Sequence, residues 1–213
     1  MIIEFNDKYR SCDMGLKMTG FYIPMPSPKT NLIDIPGGDG SVDLSEVSGR
    51  IRYSDRSGVN FTFDFTDGSY DKWLYTYSKL SEMLHGKKVK VRVSADPHWY
   101  YMMRLVLDST KSNPFLSQFV ISGTADPFKY AQKETVVKKD LDDQRIVLEG
   151  FGIGSVPEFI VSDSNMLKLV RKEKEYNLVD GYNRFAGLVI SEKEELDFSG
   201  SGNVTIHYRG RCL

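Results

Sequence analysis

Only one stretch of this 213-residue chain repeats its apolar residues at helical spacing. From Ser69 to Lys88, Trp73, Tyr77, Leu80 and Leu84 fall at steps of four, three and four, so they share one face of a helix. Leu74 and Met83 widen that face. Ser69 is placed to cap the start, and Gly86 to stop the helix in a left-handed conformation. Lys87 and Lys88 follow where cations suit the helix dipole. Elsewhere the apolar residues recur with a period of two. A lone helix with a wide apolar face among such runs has to cover a sheet. The predicted fold class is therefore mainly β, with one flanking helix.

The strand signals differ along the chain. Phe61, Phe63 and Phe65 alternate with Asn60, Thr62 and Asp64, and Val89, Val91 and Val93 alternate with Lys88, Lys90 and Arg92. Arg50–Asp55 also reads as a strand. His98–Asp108 is apolar on both faces for most of its length, which predicts a central strand. Phe115–Phe128 reads as a strand ending in a turn at Asp126–Pro127. The charged run Lys129–Gln144 places a boundary near residue 130, giving domains 1–130 and 131–213. Beyond it come short runs at Arg145–Gly150, Glu158–Asp163, Met166–Arg171, Glu175–Asp180, Gly187–Glu192, Glu195–Gly200 and Asn203–Gly210. Such spacing predicts a small β-sandwich.

Charge and motifs exclude much. Residues 131–213 carry 12 Lys and Arg against 14 Asp and Glu, leaving 16 against 15 for residues 1–130. Neither part is a basic surface for nucleic acid. No run reaches the roughly 18 apolar residues of a membrane span, and Glu4 interrupts any secretory leader. Cys12 and Cys212, at opposite ends, read as free thiols of a cytoplasm-folded chain. His85, His98 and His207 lie far apart, without metal-ligand spacing, and Asp140–Gln144 lacks the glycine and spaced glutamate of a calcium loop. The glycine-rich run Gly150–Glu158 does not match the Gly-x-Ser-x-Gly elbow of a serine nucleophile. No catalytic residue, metal or cofactor is expected. Trp99, Tyr100 and Tyr101 read as packed strand residues more readily than as a stacking platform.

Two features remain for binding. The first is Pro24, Pro26 and Pro28, which forbid a central strand, followed by Pro36, Gly37, Gly38, Asp39 and Gly40. The glycines do not fit a phosphate loop, since no lysine follows Gly40. Two readings stand: a hairpin turning at Asp39–Gly40, or a stiffened arm lying across a neighbouring copy, with residues 20–46 in contact. The second feature is the aromatic set Tyr176, Tyr182 and Phe185, candidates for contact with a glycan.

Several ordered pieces carry a family likeness: "FYIPMPSP", "IPGGDGSVDLSE", "GRIRYSDRSGVNFTFDF", "YDKWLYTYSKLSEMLHGKKVKVRVSADPHWYYMMRL", "ISGTADPFKY" and the closing "GNVTIHYRGRCL". With them the chain resembles the distal tail (Dit) proteins of long-tailed phages. The resemblance implies a tail-tube-like N-terminal barrel or sandwich with one flanking helix, and a small galectin-like C-terminal sandwich. It implies a non-enzymatic hub of a phage or prophage tail tip, made in the host bacterial cytoplasm. Six copies would form a ring joining the tail tube to the baseplate. Its partners would be the tail-tube protein, a tail-associated tip protein and a receptor-binding protein. The alternative is a carbohydrate-binding module for host cell-wall glycan. A wall hydrolase would need an acid or nucleophile that no motif supplies.

Overall fold

The structure, a computed structural model, describes residues 1–67 and 69–213. The chain divides into two units, Met1–Lys129 with Leu213, and Tyr130–Cys212. In the first, the elements run β1 (Ile3–Phe5), β2 (Tyr9–Arg10), β3 (Leu16–Tyr22), β4 (Leu32–Asp34), β5 (Ser41–Asp43), β6 (Arg56–Phe65), α1 (Tyr70–Leu84), β7 (Lys88–Val93), β8 (Trp99–Leu107) and β9 (Gln118–Ala131). Seven of these strands lie in one sheet in the order β2-β1-β7-β8-β9-β6-β3. Strand β8 is internal, as its two-sided apolar sequence predicts. Strands β4 and β5 pair only with each other.

One face of this sheet buries Ile3, Phe5, Phe61, Phe63, Val89, Val91, Met103, Leu105, Phe119 and Ile121 beneath α1. Trp73, Leu80 and Leu84 are the helix residues buried against it. The Trp73 ring stacks with Tyr77 at 5.0 Å and with Phe119 at 4.8 Å. Its indole N–H is buried without an acceptor, a cost of about 1–3 kcal/mol. The two ring contacts, at about 0.5–1.5 kcal/mol each, offset much of it. Leu74 departs from expectation and is exposed: it lies one residue, or about 100°, off the Trp73–Leu84 line. Ser69 has the extended backbone of an N-cap, but its hydroxyl makes no capping bond. At the other end Gly86 takes φ +73°, and the Lys87 ammonium donates to the Glu82 carbonyl at 2.6 Å. The His85 Nδ1 accepts from the Leu107 backbone N–H at 3.3 Å, tying the helix end to β8.

The second unit contains β10 (Thr135–Asp142), β11 (Arg145–Glu149), β12 (Glu158–Arg171), β13 (Lys174–Asn177), β14 (Gly181–Arg184), β15 (Lys193–Tyr208) and β16 (Arg211–Cys212). Two of the expected breaks are absent. Glu158–Asp163 and Met166–Arg171 fuse into β12, and Glu195–Gly200 and Asn203–Gly210 fuse through most of their length into β15. The interruptions are bulges, with register shifts between Ser162 and Lys168. Asp163 and Met166 take positive φ, opposite Gly200 at φ +86°. A Cβ on Gly200 would meet the Asn165 and Met166 carbonyl oxygens at 2.6 Å, so only glycine fits the bend.

The bend folds one sheet over itself. On one side of it, β10 and β14 flank the half where Glu158–Ser162 pair with Asn203–His207. Strands β11 and β13 flank the other half, where Lys168–Val170 pair with Asp197–Ser199. Phe159, Val161, Leu167, Leu169, Leu188, Ile190, Leu196, Phe198, Val204 and Ile206 fill the space between. Other expectations also change. The charged run Lys129–Gln144 contains β10, paired residue for residue with β15. Gly187–Glu192 is not a strand but a loop tied by Ser155 and Ile190, which exchange backbone hydrogen bonds of 2.9 and 2.8 Å. Strand β9 runs through Asp126–Pro127 rather than turning there.

Candidate functional site

Between β3 and β6 the chain leaves the sheet as a two-limbed arm. The root is fastened by main-chain contacts. Lys29 N–H donates to Arg52 C=O at 2.8 Å, Ser54 N–H to Ser27 C=O at 2.9 Å, and Pro28 bridges Tyr53. The Arg56 guanidinium is buried here and donates to the Pro24 carbonyl at 2.8 Å and the Pro127 carbonyl at 3.0 Å. Pro24 is half-buried and Pro26 buried, and none of the three early prolines lies in a strand. Arg50–Asp55, expected as a strand, is the returning limb. It has alternation but only the Pro28 limb beside it, so it forms an isolated bridge.

The arm's outer part is the β4–β5 hairpin, paired Leu32–Asp43, Ile33–Val42 and Asp34–Ser41. Its reversal begins at Pro36 and Gly37, not in a two-residue turn at Asp39–Gly40. Gly38 N–H donates to Ile35 C=O at 3.1 Å, and Gly37 has φ +79°. Proline followed by a positive-φ glycine is the type II pattern. Asp39 and Gly40 complete the loop between the strands, with Gly40 at φ +75°. At the hairpin base, Leu44 N–H donates to Asn31 C=O and Asn31 N–H to the Ser45 hydroxyl, both at 2.8 Å. Hydrogen bonds from Ser45 to the Asp43 carboxylate hold its pKa below the usual value.

This hairpin has no core of its own. Leu32 (57 % exposed), Ile33, Ile35, Val42 and Val47 (81 %) all face solvent. Residues 31–48 carry four acids, Asp34, Asp39, Asp43 and Glu46, and no base. A free two-stranded hairpin is marginally stable in water, so an apolar, acidic one calls for a covering surface. Sequence reasoning missed a second exposed apolar group on the same unit. Tyr70 and Leu74 on α1 are exposed, as are Phe115 (90 %) and Leu116, and the Tyr70 and Phe115 rings lie 6.5 Å apart. The signal was available: two large apolar residues follow Asn113–Pro114 in an otherwise polar turn.

The three aromatic candidates of the second unit separate. Tyr176 and Phe185 are partly buried against the core, their rings 4.9 Å apart. Tyr182 on β14 is 61 % exposed and lies opposite Ile160 of β12, also exposed. In the adjacent row, Glu158 lies opposite Arg184, the carboxylate and guanidinium 3.6 Å apart. Partial desolvation, then the Glu158 carboxylate, pushes the Tyr182 phenol above its ordinary pKa. Trp99, Tyr100 and Tyr101 are half-buried, and cations of the same unit sit over them: Lys129, Lys90 and Arg56 at 5.5, 4.3 and 5.5 Å from the ring centres.

Among the described residues, no three His, Cys, Asp or Glu side chains converge as metal ligands, and no helix is long and apolar enough to cross a membrane. A hollow lined by Ile2, Glu4, Arg10, Arg92, Ser94 and Pro97 is spanned by the Arg92–Glu4 ion pair at 2.5 Å.

No family model matches the chain, and no curated protein does. Among solved structures it is similar to the Dit protein (gp 19.1) of SPP1, described as a paradigm of the hub adsorption apparatus in phages infecting Gram-positive bacteria. The two share 14 % sequence identity, superpose with a TM-score of 0.69, and are covered over 100 % of this chain and 99 % of that one. At that identity the likeness is one of fold, and over its whole length this chain has the fold of the SPP1 Dit protein.

Proposed function

We propose that the chain is a non-enzymatic structural hub of a phage or prophage tail tip. In this reading the first unit closes a ring of six copies at the end of the tail tube. The second, galectin-like unit carries tip or receptor-binding proteins, and the ring joins the tube to the baseplate. The observation that carries the reading is the full-length likeness to a protein described as a hub, with both chains covered almost completely. The exposed arm supports it. An apolar, acidic hairpin without a core suits a chain whose missing cover is a sister copy, and cyclic closure gives every arm the same partner. The arm residues are Pro24, Pro26, Pro28, Pro36, Gly37, Gly38, Asp39 and Gly40, with Leu32, Ile33 and Val42 as its buried contacts in the ring.

The test is negative-stain imaging of the purified protein together with its solution mass. Six-fold rings with a mass six times 24.3 kDa are expected. Solitary particles at every concentration, with and without tail-tube protein, would overturn the reading.

A further inference from the structure

The half-sheet built from β10, β15, β12 and β14 has a face on which Val136, Ile160 and Tyr182 are exposed. Two rows of it matter. In one, Thr205, Ile160 and Tyr182 lie side by side across three strands; in the next, His207, Glu158 and Arg184 do so. Ile160 and Tyr182 make an exposed apolar strip two side chains wide, on the scale of one sugar ring. Beside it, the Glu158 carboxylate and Arg184 guanidinium stand 3.6 Å apart, both about half exposed. Their charges cancel, yet together they present acceptor lone pairs and a planar donor fork.

That combination selects among ligands. A nucleic acid needs a positive surface, and residues 131–213 carry more acid than base. A protein partner with an apolar face would have to bury the Glu158–Arg184 pair, with a desolvation penalty that the pair's attraction barely repays. An anion or cation alone would satisfy one of the two charges and repel the other. A neutral pyranose satisfies all of them. Its C–H face lies against Tyr182 and Ile160, as aromatic rings with one wet edge permit. Its adjacent hydroxyls donate to Glu158 and accept from Arg184, charge-assisted bonds stronger than neutral ones. Thr205 continues the same strip.

We infer that this face, centred on Tyr182, Glu158 and Arg184, binds a neutral pyranoside. The inference does not depend on the ring: a monomeric chain presents the same rows.

Saturation-transfer difference NMR on the full chain, with lactose and with chitotriose as probes, tests it. At least one sugar should show saturable transfer concentrated on one face of a pyranose ring, with millimolar Kd. Tyr182→Ala should weaken binding at least about tenfold, near 1.4 kcal/mol, and Tyr182→Phe should keep it. Arg184→Lys should weaken it by removing the fork while leaving the charge. Tyr75→Ala, at an exposed tyrosine of the first unit, should change nothing, and circular dichroism should show each variant folded. Transfer from neither sugar, or equal transfer in Tyr182→Ala, would overturn the inference; the first outcome would leave the face to a protein partner.

Discussion

Strand β6 and the β4–β5 hairpin both carry large apolar side chains at strand positions and meet opposite fates. Val59, Phe61, Phe63 and Phe65 of β6 are buried beneath α1. Leu32, Ile33, Ile35 and Val42 of the hairpin are exposed. The difference is not in the residue types. An apolar side chain on a strand prefers burial, and it is silent on whether the chain supplies the cover. Where the cover is missing, the apolar residues point to a surface on another molecule.

The largest contrast should come from truncation at each place. Phe61→Ala removes a fully buried ring from the first unit's core, and should cost about 3–5 kcal/mol in denaturant unfolding. In the second unit, Gly200→Ala forces a Cβ into two carbonyl oxygens at a positive φ, and should cost about 1–3 kcal/mol. The same replacement at Gly37, also at positive φ but with open space around it, should be milder.

Charging the hairpin should behave differently. Ile33→Asp with Val42→Asp should shift the unfolding of the isolated chain by no more than about 0.5 kcal/mol, because both side chains are exposed on the hairpin surface. It should nevertheless abolish assembly into rings. A large loss of monomer stability would mean that the hairpin is covered by its own chain.

The smallest expected effect is at the hairpin base. Asp43 has a folded-state pKa below its usual value of 3.8. Its contribution is therefore present above pH 3.8, and is lost as pH falls below that through the folded value. Protection of the Ser45 amide, its exchange rate taken relative to the intrinsic rate at each pH, should fall over that acid window, and Asp43→Asn should remove that change. Unchanged protection would sever the link between this carboxylate and the hairpin.

How much of this was legible in the sequence follows from the same distinction. The Trp73–Leu84 stripe was legible because its period and its cover lie in one chain. The exposure of Leu74 was not, since one residue's rotation about the helix axis decides it. The prolines at 24, 26 and 28 correctly ruled out a central strand, but Arg50–Asp55 looked like one because alternation there has no sheet to join. Strands β12 and β15 read as four short runs because Asp163, Ser164 and Asn165 in the first, and Gly200 and Gly202 in the second, resemble loop residues. Their purpose becomes visible only when Asn165 and Met166 are seen to bulge against Gly200. Tyr182 could not be told from Tyr176 and Phe185 by sequence alone. The register with Ile160 turns Tyr182 outward, while the other two pack inward.

The most direct test of the central claim, that a sister copy covers the hairpin, is light-scattering mass on the intact chain and on one with Leu32–Leu44 replaced by a short Gly-Ser turn. The account predicts six times 24.3 kDa for the intact protein, and a folded monomer for the variant. A variant that still assembles into six-copy rings, or an intact chain that stays monomeric at every concentration, would contradict it.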